Sequence, residues 1–469
     1  MVGLVRASVP DSRRLLLFVA LACVAIAGTV GTASAASPGA TIWLRRYDGP
    51  VGGTDEATAI AVSSDGSTVF VTGRSEGASG FYGYATLAYD TSTGATIWRR
   101  RYKGPADSAE STAIAVSPDD STVFVTGRSL STGSSTDYAT RAYDASTGAT
   151  MWTSRYDGPA HESDEALAIG VSPDGSMVFV TGDSTGINGA FNFATVAYDA
   201  ASGGTRWAER FTGIVGAAAT DLAVSPGGTE VFVTGSDIGR VDNNYATVAY
   251  DAATGATVWQ EDYNGPANAC DSASSIAASP DGATVVVTGT SGDCASNDQD
   301  YATVAYDASS GAKDWARRYA GPSTDFDEAT AVAISPDGTG VIVTGDSRGA
   351  STSWDIVTLR YDASSGATIW RRRYNGAPHK RDVASDVGVS PDGATVFVAG
   401  ESANGTVGAY KTLAYDAASG TTEWARRYTL ESQSGATSLA IDPKGDVVFV
   451  TGWSDGPTGA DYATIAYAA

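Results

Sequence analysis

Cysteine and histidine are almost absent from this sequence. The 469 residues include three cysteines and two histidines, and His161 and His379 each stand alone among polar residues. Catalysis by a histidine base and metal binding by histidine or cysteine clusters both need such residues grouped in one site. The scarcity argues against both chemistries.

Positive charge and long apolar runs are scarce as well. Lys and Arg number 30 against 53 Asp and Glu, which gives a formal net charge of −23. Such a surface repels nucleic acid and anionic lipid and favours a soluble monomer. Beyond the N-terminal segment, no stretch is apolar enough to span a bilayer. We therefore expect no nucleic-acid partner and no membrane association of the mature chain.

The N-terminal segment has the features of a secretory signal peptide. Three arginines precede an apolar run, Leu15 to Val30, and Ala33-Ser34-Ala35 offers a small-residue cleavage site, so that the mature chain starts at Ala36. The alternatives are a membrane anchor, for which the run is short, and a lipoprotein signal at Cys23, which lacks the large aliphatic residue expected three positions earlier. The sequence predicts a secreted, extracellular protein.

A single repeat fills the rest of the chain. A tryptophan recurs every 52 to 56 residues, and an aromatic residue follows each one after four positions. This even spacing places both rings on one face of a strand. The repeated tryptophans are Trp43, Trp98, Trp152, Trp207, Trp259, Trp315, Trp370 and Trp424. Repeats of this length indicate solenoids or propellers.

Each repeat contains four short strand signals, which we name a, b, c and d. They are rich in Val, Ile, Thr and aromatic residues, and no helical periodicity interrupts them. The a–b and c–d turns are short and constant, whereas the d–a and b–c connections vary between copies. In an antiparallel sheet the variable connections share one rim, where binding residues are usually found.

The positions within the repeat at which the mature chain begins and ends predict a closed ring. From Ala36 the chain enters a d strand, Ala40 to Tyr47, and it stops at Ala469 directly after a c strand. The N-terminal strand can therefore complete the last blade and remove exposed edges, whereas an open solenoid would need capping repeats. We predict an all-β fold: a signal peptide, 1–35, and one eight-bladed β-propeller of four-stranded antiparallel blades, 36–469. The repeats start near residues 39, 94, 148, 203, 255, 311, 366 and 420.

One recurring motif carries a family resemblance. Ala-x-Asp-x-x-Thr-Gly-x-x-x-Trp runs from Ala88 to Trp98 and recurs at 249–259 and, with Ser for Thr, at 305–315 and 414–424. It resembles the tryptophan-docking motif of the quinoprotein-like (PQQ-binding-like) β-propellers, which include pyrroloquinoline quinone dehydrogenases. The resemblance implies an eight-bladed fold in which the tryptophans dock one blade onto the next.

The chain departs from the dehydrogenases of that superfamily. They are expected to carry two adjacent cysteines above the cofactor, and this chain has no adjacent pair. They also need a calcium-holding set of Glu, Asn and Asp on the inner strands, and no such set stands out from the repeats. These departures favour a non-dehydrogenase member, and we expect no PQQ and no other cofactor.

An acidic residue marks the start of strand a in most repeats. Strand a lines the central channel of a propeller, so these carboxylates could form a ring that holds Ca²⁺ or attracts a cationic ligand. Alternatively, each carboxylate binds the backbone of its own blade, which is the interpretation that we favour. The candidates are Asp55, Glu110, Asp164, Asp271, Asp327 and Asp382.

Cys270 and Cys294 flank the a–b hairpin of one repeat. Counting outward from its turn, Ser279 to Gly282, places the two cysteines opposite each other. Because exported proteins keep disulfides, we predict a bond that contributes about 3 kcal/mol in the loop-entropy model. Two free thiols and a redox-active pair are the alternatives.

A non-catalytic binding or scaffold protein is the function that the sequence favours. The blades are nearly uniform, whereas catalysis needs an acid and a base in different environments. We expect the variable loops to bind an extracellular protein or glycan. The alternative is an extracellular enzyme, either quinone-dependent or carbohydrate-active, with two carboxylates at the channel mouth.

Overall fold

The computed structural model describes most of the chain from Ala36 onward. The described residues are 36–133, 135–239, 242–267, 270–293, 298–323, 326–349, 353–376, 379–405, 407–429 and 432–469. The predicted signal peptide and its cleavage site at residues 33–35 lie outside them. Within the described ranges no residue is helical, so no helix there is long and apolar enough to cross a membrane.

Thirty-two strands are present in the described part of the chain, and they form eight groups of four. The N-terminal strand is β1 (Thr41–Tyr47). Blade 1 contains β2 (Asp55–Val62), β3 (Thr68–Glu76), β4 (Tyr82–Asp90) and β5 (Thr96–Tyr102). Blade 2 contains β6 (Ala109–Val116), β7 (Thr122–Leu130), β8 (Thr136–Asp144) and β9 (Thr150–Tyr156). Blade 3 contains β10 (Asp164–Val171), β11 (Met177–Thr185), β12 (Phe191–Asp199) and β13 (Thr205–Phe211).

The remaining blades repeat this arrangement. Blade 4 contains β14 (Gly216–Val224), β15 (Glu230–Ile238), β16 (Asn243–Asp251) and β17 (Thr257–Tyr263). Blade 5 contains β18 (Cys270–Ala278), β19 (Thr284–Asp293), β20 (Asp298–Asp307) and β21 (Lys313–Tyr319). Blade 6 contains β22 (Asp327–Ile334), β23 (Gly340–Arg348), β24 (Trp354–Asp362) and β25 (Thr368–Tyr374). Blade 7 contains β26 (Asp382–Val389), β27 (Thr395–Asn404), β28 (Val407–Asp416) and β29 (Thr422–Tyr428), and blade 8 contains β30 (Ser434–Ile441), β31 (Val447–Asp455), β32 (Ala460–Ala468) and β1.

Within every blade the strands pair antiparallel in the order a, b, c, d. Blades 4 and 5 are also linked by a single parallel pair, Asn243 with Cys270, so that their eight strands form one sheet. The a–b and c–d turns lie at one rim, which we call the turn face. The d–a and b–c connections lie at the opposite rim, the loop face. The predicted all-β propeller of four-stranded blades is therefore correct.

The N-terminal strand completes the last blade, as predicted. β1 pairs antiparallel with β32, and Trp43 lies opposite Ala466. Blade 8 in turn bonds to blade 1: the Thr437 hydroxyl donates to the Ala57 carbonyl over 2.9 Å. The Tyr462 hydroxyl donates to the backbone carbonyl of Ala85 over 3.0 Å. The last blade is thus bound to the first by the same kinds of bond that join other neighbours.

The core lies in layers between neighbouring blades, and a tryptophan occupies each layer. Trp98 of β5 is 5 % exposed, and its indole N–H donates to the Ala145 carbonyl of blade 2 over 2.7 Å. Its ring packs against Gly148 in the c–d turn of that blade. Gly148 has a φ of 68°, and a Cβ there would lie 2.6 Å from the indole, so this turn position requires glycine. The equivalent tryptophans pack on Gly94, Gly203, Gly255, Gly311, Gly366, Gly420 and Gly39.

Every inner strand contains a bulge at the same position. In blade 1 the register shifts between Ala57 and Ala59, and the extra residue is Thr58. Its hydroxyl donates over 3.0 Å to the Ser111 carbonyl of blade 2. Corresponding bonds to the next blade are made by Thr112, Thr220, Thr330, Ser385 and Thr437. A bulge changes the direction in which a side chain points, and here it directs a hydroxyl across the blade boundary.

Candidate functional site

Five of the six predicted acidic residues are buried at the entry of the inner strands. They lie at the start of β2, β10, β18, β22 and β26, each opposite a serine of the paired strand, and are at most 1 % exposed: Asp55, Asp164, Asp271, Asp327 and Asp382. Each accepts the backbone N–H of a glycine six residues earlier, over 2.5 to 2.7 Å. Burial raises the pKa of all five carboxyls. They hold the start of the d–a connections in place.

Glu110 occupies a different position from the other five. It is the second residue of β6 and lies opposite Arg128, whereas the first residue, Ala109, lies opposite Ser129. Successive strand residues point to opposite faces, so the six candidates do not form one ring. Glu110 instead joins Arg74 of blade 1, at 3.5 Å, to Arg128 of its own blade, at 3.1 Å.

A chain of ion pairs therefore runs across the first three blades. Arg74 also contacts Glu56 at 2.6 Å, and Arg128 contacts Glu165 of blade 3 at 3.1 Å. These side chains are 23 to 38 % exposed, and pairs of that exposure contribute little each. These ion pairs link neighbouring blades, and each of their three glutamates is paired with an arginine.

Four other carboxylates have strongly shifted pKa values. Burial raises the pKa of Asp221 and Asp386 to about 6, that of Asp183 to about 7 and that of Asp346 to about 8. Asp221 follows the bulge of β14 and accepts from Ser275 and Ile276 of blade 5. Asp346 accepts the Ala384 N–H of blade 7 over 2.7 Å. These acids bind the backbone of the next blade.

Sequence reasoning missed these four residues. The available signal was a departure from the repeat, since Asp221 and Asp386 stand where Ala59, Ala113 and Ala331 stand in other blades.

The predicted Cys270–Cys294 bond includes a residue outside the described part of the chain. Cys270 opens β18 and lies opposite Gly292. The bulge between Ala273 and Ser275 shifts the pairing by one residue relative to a simple count from the turn. Cys294 follows β19 closely, and the disulfide stays a prediction.

Exposed apolar side chains fall into two groups among the described residues. One group directly precedes the docking tryptophans and belongs to the repeat: Ile42, Ile97, Met151, Val258 and Ile369. The other group belongs to the loop face and follows no repeat position: Val51, Phe81, Ile187, Phe191, Ile214 and Val215. Ile187 is 86 % exposed and Ile214 is 75 % exposed. Isolated exposed apolar residues are ordinary, but contiguous ones mark interaction surfaces.

Four of these residues lie in or directly beside two neighbouring loop-face connections of blades 3 and 4. A Cβ on Gly216 would lie 3.2 Å from the Phe191 carbonyl and 3.6 Å from the Ala190 side chain, so the two connections are neighbours. We call Ile187, Phe191, Ile214 and Val215 the apolar patch. A cleft of about 560 Å³ adjoins it and is lined by Pro159, Ala160, Glu162, Thr185, Gly186, Ile187 and Gly189.

A second cleft of about 640 Å³ opens on the loop face of blade 1. Its walls combine apolar Phe81 and Pro50 with charged Arg101, Lys103 and Asp107. Clefts of this size suit a ligand side chain or a short segment. The loop face thus offers apolar anchors with polar borders, and five of the six predicted acids accept a backbone N–H there.

Comparison with known proteins agrees with this architecture. The family model described as outer membrane protein assembly factor BamB matches residues 26–184 and 138–354. No curated protein matches the chain in sequence. Among solved structures, Sqt1 of Chaetomium thermophilum superimposes with a TM-score of 0.60 at 14 % identity, covering 92 % of this chain and 98 % of its own.

Two further structures show the same fold. The Dos1 propeller has a TM-score of 0.59 at 12 % identity and covers 88 % of this chain and 93 % of its own. The quinohemoprotein alcohol dehydrogenase of Comamonas testosteroni has a TM-score of 0.55 at 12 % identity, with 91 % and 76 % covered. At these identities the likeness concerns the fold alone.

Proposed function

Because the chain belongs to the PQQ-like repeat family whose model is described as outer membrane protein assembly factor BamB, we propose that it is a non-catalytic binding or scaffold propeller. Its loop face holds a partner protein. The observation that carries this proposal is the apolar patch, four exposed side chains that no blade-building rule requires. Apolar patches with polar borders mark protein interaction sites.

A protein partner fits the patch better than a glycan does. Three of its four residues are aliphatic, and aliphatic side chains bind apolar side chains of a partner by burial of surface. The chain carries a net charge of −23, so a partner with basic residues beside its apolar anchor would be attracted to it. Among the structurally similar propellers, Sqt1 of Chaetomium thermophilum has been solved bound to the N-terminus of the ribosomal protein L10.

Aspartate substitutions in the apolar patch test this function. We expect Ile187→Asp with Ile214→Asp to weaken partner binding at least about tenfold, since each substitution places a charge in a desolvated contact. The partner is first identified by photo-crosslinking from position 187 in the culture medium of the source organism. Affinity is then measured with the purified partner.

A matched control uses exposed isoleucines of the repeat. Ile97→Asp with Ile369→Asp changes residues that are 46 and 47 % exposed outside the loop face, and it should leave binding unchanged. Equal loss in both double variants, unchanged affinity after charging the patch, or loss of binding on deglycosylation of the partner would each contradict the proposal.

We further propose that the protein is exported and works outside the cell. The N-terminal charge and apolar pattern supports export, and the Cys270–Cys294 pair suits an oxidising compartment. Protein recovered from the medium should begin at Ala36 and contain no free thiol at these cysteines. An N-terminus at Met1, or two free thiols by mass spectrometry, would contradict this.

A further inference from the structure

Two blade boundaries each bring three aspartates together on the loop face. The first trio consists of Asp48, Asp55 and Asp461, and the second of Asp137, Asp157 and Asp164. In each trio one oxygen of every carboxylate lies within 4.8 Å of the other two. The trios are equivalent in the repeat: a residue of the d–a connection, the first residue of the following inner strand, and a residue near the start of a c strand.

The spacing suits one cation per trio. Ca²⁺ binds oxygen ligands at 2.3 to 2.6 Å, so two oxygens on one ion lie at most about 5 Å apart. Three carboxylates meet this limit, and Asp48 and Asp157 are exposed to solvent, from which water can complete the coordination. Ca²⁺ accepts irregular oxygen sets more readily than Mg²⁺ does.

Buried carboxylate oxygens that accept no regular hydrogen bond point to a missing ligand. Asp55 is 0 % exposed, Asp164 1 % and Asp137 5 %. Oδ1 of Asp137 has no hydrogen-bond partner among the described residues, and Oδ1 of Asp55 and of Asp164 accepts no bond of regular geometry there, although the Ser75 and Ser184 hydroxyls lie close enough to lower the pKa of these two carboxyls. The second oxygen of Asp55 and of Asp164 is already used by the backbone N–H of Gly49 and of Gly158. An unpaired buried carboxylate oxygen is costly, and a cation would remove that cost.

Positively charged side chains offset part of the charge of each trio. Arg46 contacts Asp461 at 2.7 Å and Arg155 contacts Asp137 at 2.6 Å. Arg101 and Arg210 act on Asp55 and Asp164, and His161 contacts exposed Asp157 at 2.7 Å. Burial raises the pKa of Asp461 to about 6 in spite of Arg46, and Asp48 and Asp55 add to this rise.

The other blade boundaries show that the trio is not needed to build a blade. Lys103 and Ala109 occupy the corresponding positions between blades 1 and 2, and Asn264 and Asn375 replace the loop aspartate elsewhere. Asp271 and Asp382 also have a buried oxygen that accepts no bond of regular geometry among the described residues, so the third carboxylate is what distinguishes the two trios.

We propose that each trio binds one divalent cation of the Ca²⁺ class, which ties blade 8 to blade 1 and blade 2 to blade 3. The second site also anchors the 157–164 connection, whose residues Pro159 and Ala160 line the cleft beside the apolar patch. This inference does not depend on the partner proposed above.

Calorimetry with CaCl₂ on the purified protein, freed of divalent ions by a chelator, tests the sites. We expect two ions per chain, one after Asp48→Asn or Asp157→Asn, and none after both. Tb³⁺ serves as a second probe, since Tyr47 and Tyr156 directly precede the two loop aspartates and can sensitise its emission. Ca²⁺ should raise the Tm of the wild type and leave that of the double variant unchanged.

Asp107→Asn is the matched control, because Asp107 is an exposed loop acid between blades 1 and 2 that pairs with Lys103 at 2.6 Å. It should keep both ions. Asp48 and Asp157 are exposed, so the variants should fold, which the Tm without Ca²⁺ verifies. Absence of binding heat and of a Tm shift at millimolar CaCl₂, or unchanged binding in the double variant, would overturn the proposal.

Discussion

At the scale of single residues, the docking tryptophans combine a large buried area with one directed bond. Trp98 lies about 6 Å from Phe70 of its own blade and from Tyr143 of the next, measured between ring centroids. Its N–H satisfies a carbonyl that would otherwise be buried beside an apolar ring. Seven of the eight docking tryptophans donate this bond to a carbonyl of the next blade, whereas the Trp424 N–H has no partner among the described residues.

We expect Trp98→Ala to lower the free energy of unfolding by about 3–5 kcal/mol, as large core truncations do. Denaturant unfolding of the wild type and the variant measures the loss. Ile97→Ala is the control: this neighbour is 46 % exposed, and exposed substitutions usually cost less than about 0.5 kcal/mol. A loss below about 1 kcal/mol for Trp98→Ala would argue against docking.

At the scale of elements, the bulge of the inner strand couples one blade to the next. Thr58 is the extra residue of the bulge in β2 and has no partner in the register of β2 with β3. Its hydroxyl donates across the boundary to the Ser111 carbonyl. Thr437 makes the same bond from blade 8 to Ala57 of blade 1. Six such bonds surround the inner strands of the described chain.

Thr58→Val and Thr437→Val should each lower the free energy of unfolding by about 0.5–1.5 kcal/mol, the usual value of one hydrogen bond. Thr96→Val, on an exposed position of β5, serves as the control. Similar losses in the first two variants would show that the boundary between blades 8 and 1 is held as firmly as that between blades 1 and 2. No loss in Thr437→Val alone would contradict this.

At the scale of the whole molecule, the aspartates fall into two groups whose pKa values are shifted in opposite directions, so that pH affects stability oppositely through each group. Turn aspartates such as Asp90 and Asp174 accept hydroxyl and N–H groups, which lowers their pKa. Asp183 and Asp346 are buried, and their pKa values rise to about 7 and about 8. Glu165 and Glu328 respectively add to these rises.

The buried acids should make the protein less stable as the pH rises. Their folded pKa values lie above the usual 3.8, so they bind protons more tightly when folded. The stability they contribute is complete below about pH 4 and is lost as the pH passes 7 to 8. Relative to Asp183→Asn with Asp346→Asn, the wild type should lose at least about 1.4 kcal/mol between pH 5 and 8, the equivalent of one pKa unit.

Unfolding of both proteins in urea across this pH range measures the difference, in which the effects of all other groups cancel. A difference that stays constant would show that the two carboxylates are ionised throughout. Exposed Asp107→Asn should give the pH profile of the wild type.

Much of the fold was predictable because its causes are local and repeat eight times. The alternation of Val, Thr and aromatic residues predicts the strands, and constant Pro-Asp-Gly and Thr-Gly turns predict their antiparallel order. The site was less predictable. The inner-strand acids were found, but Glu110 was grouped with five residues from which it differs by one position, and one position reverses the face of a strand.

The sequence by itself determined the strands, the blade and the use of an N-terminal strand to complete the last sheet, because these follow from spacing within a repeat. Only the tertiary structure decided which unlike residues meet. Asp48 and Asp461 are far apart in the chain, yet the pairing of β1 with β32 puts them in one trio. Neighbouring connections likewise assemble the apolar patch, since contacts between loops depend on how blades pack and leave no periodic trace in the chain.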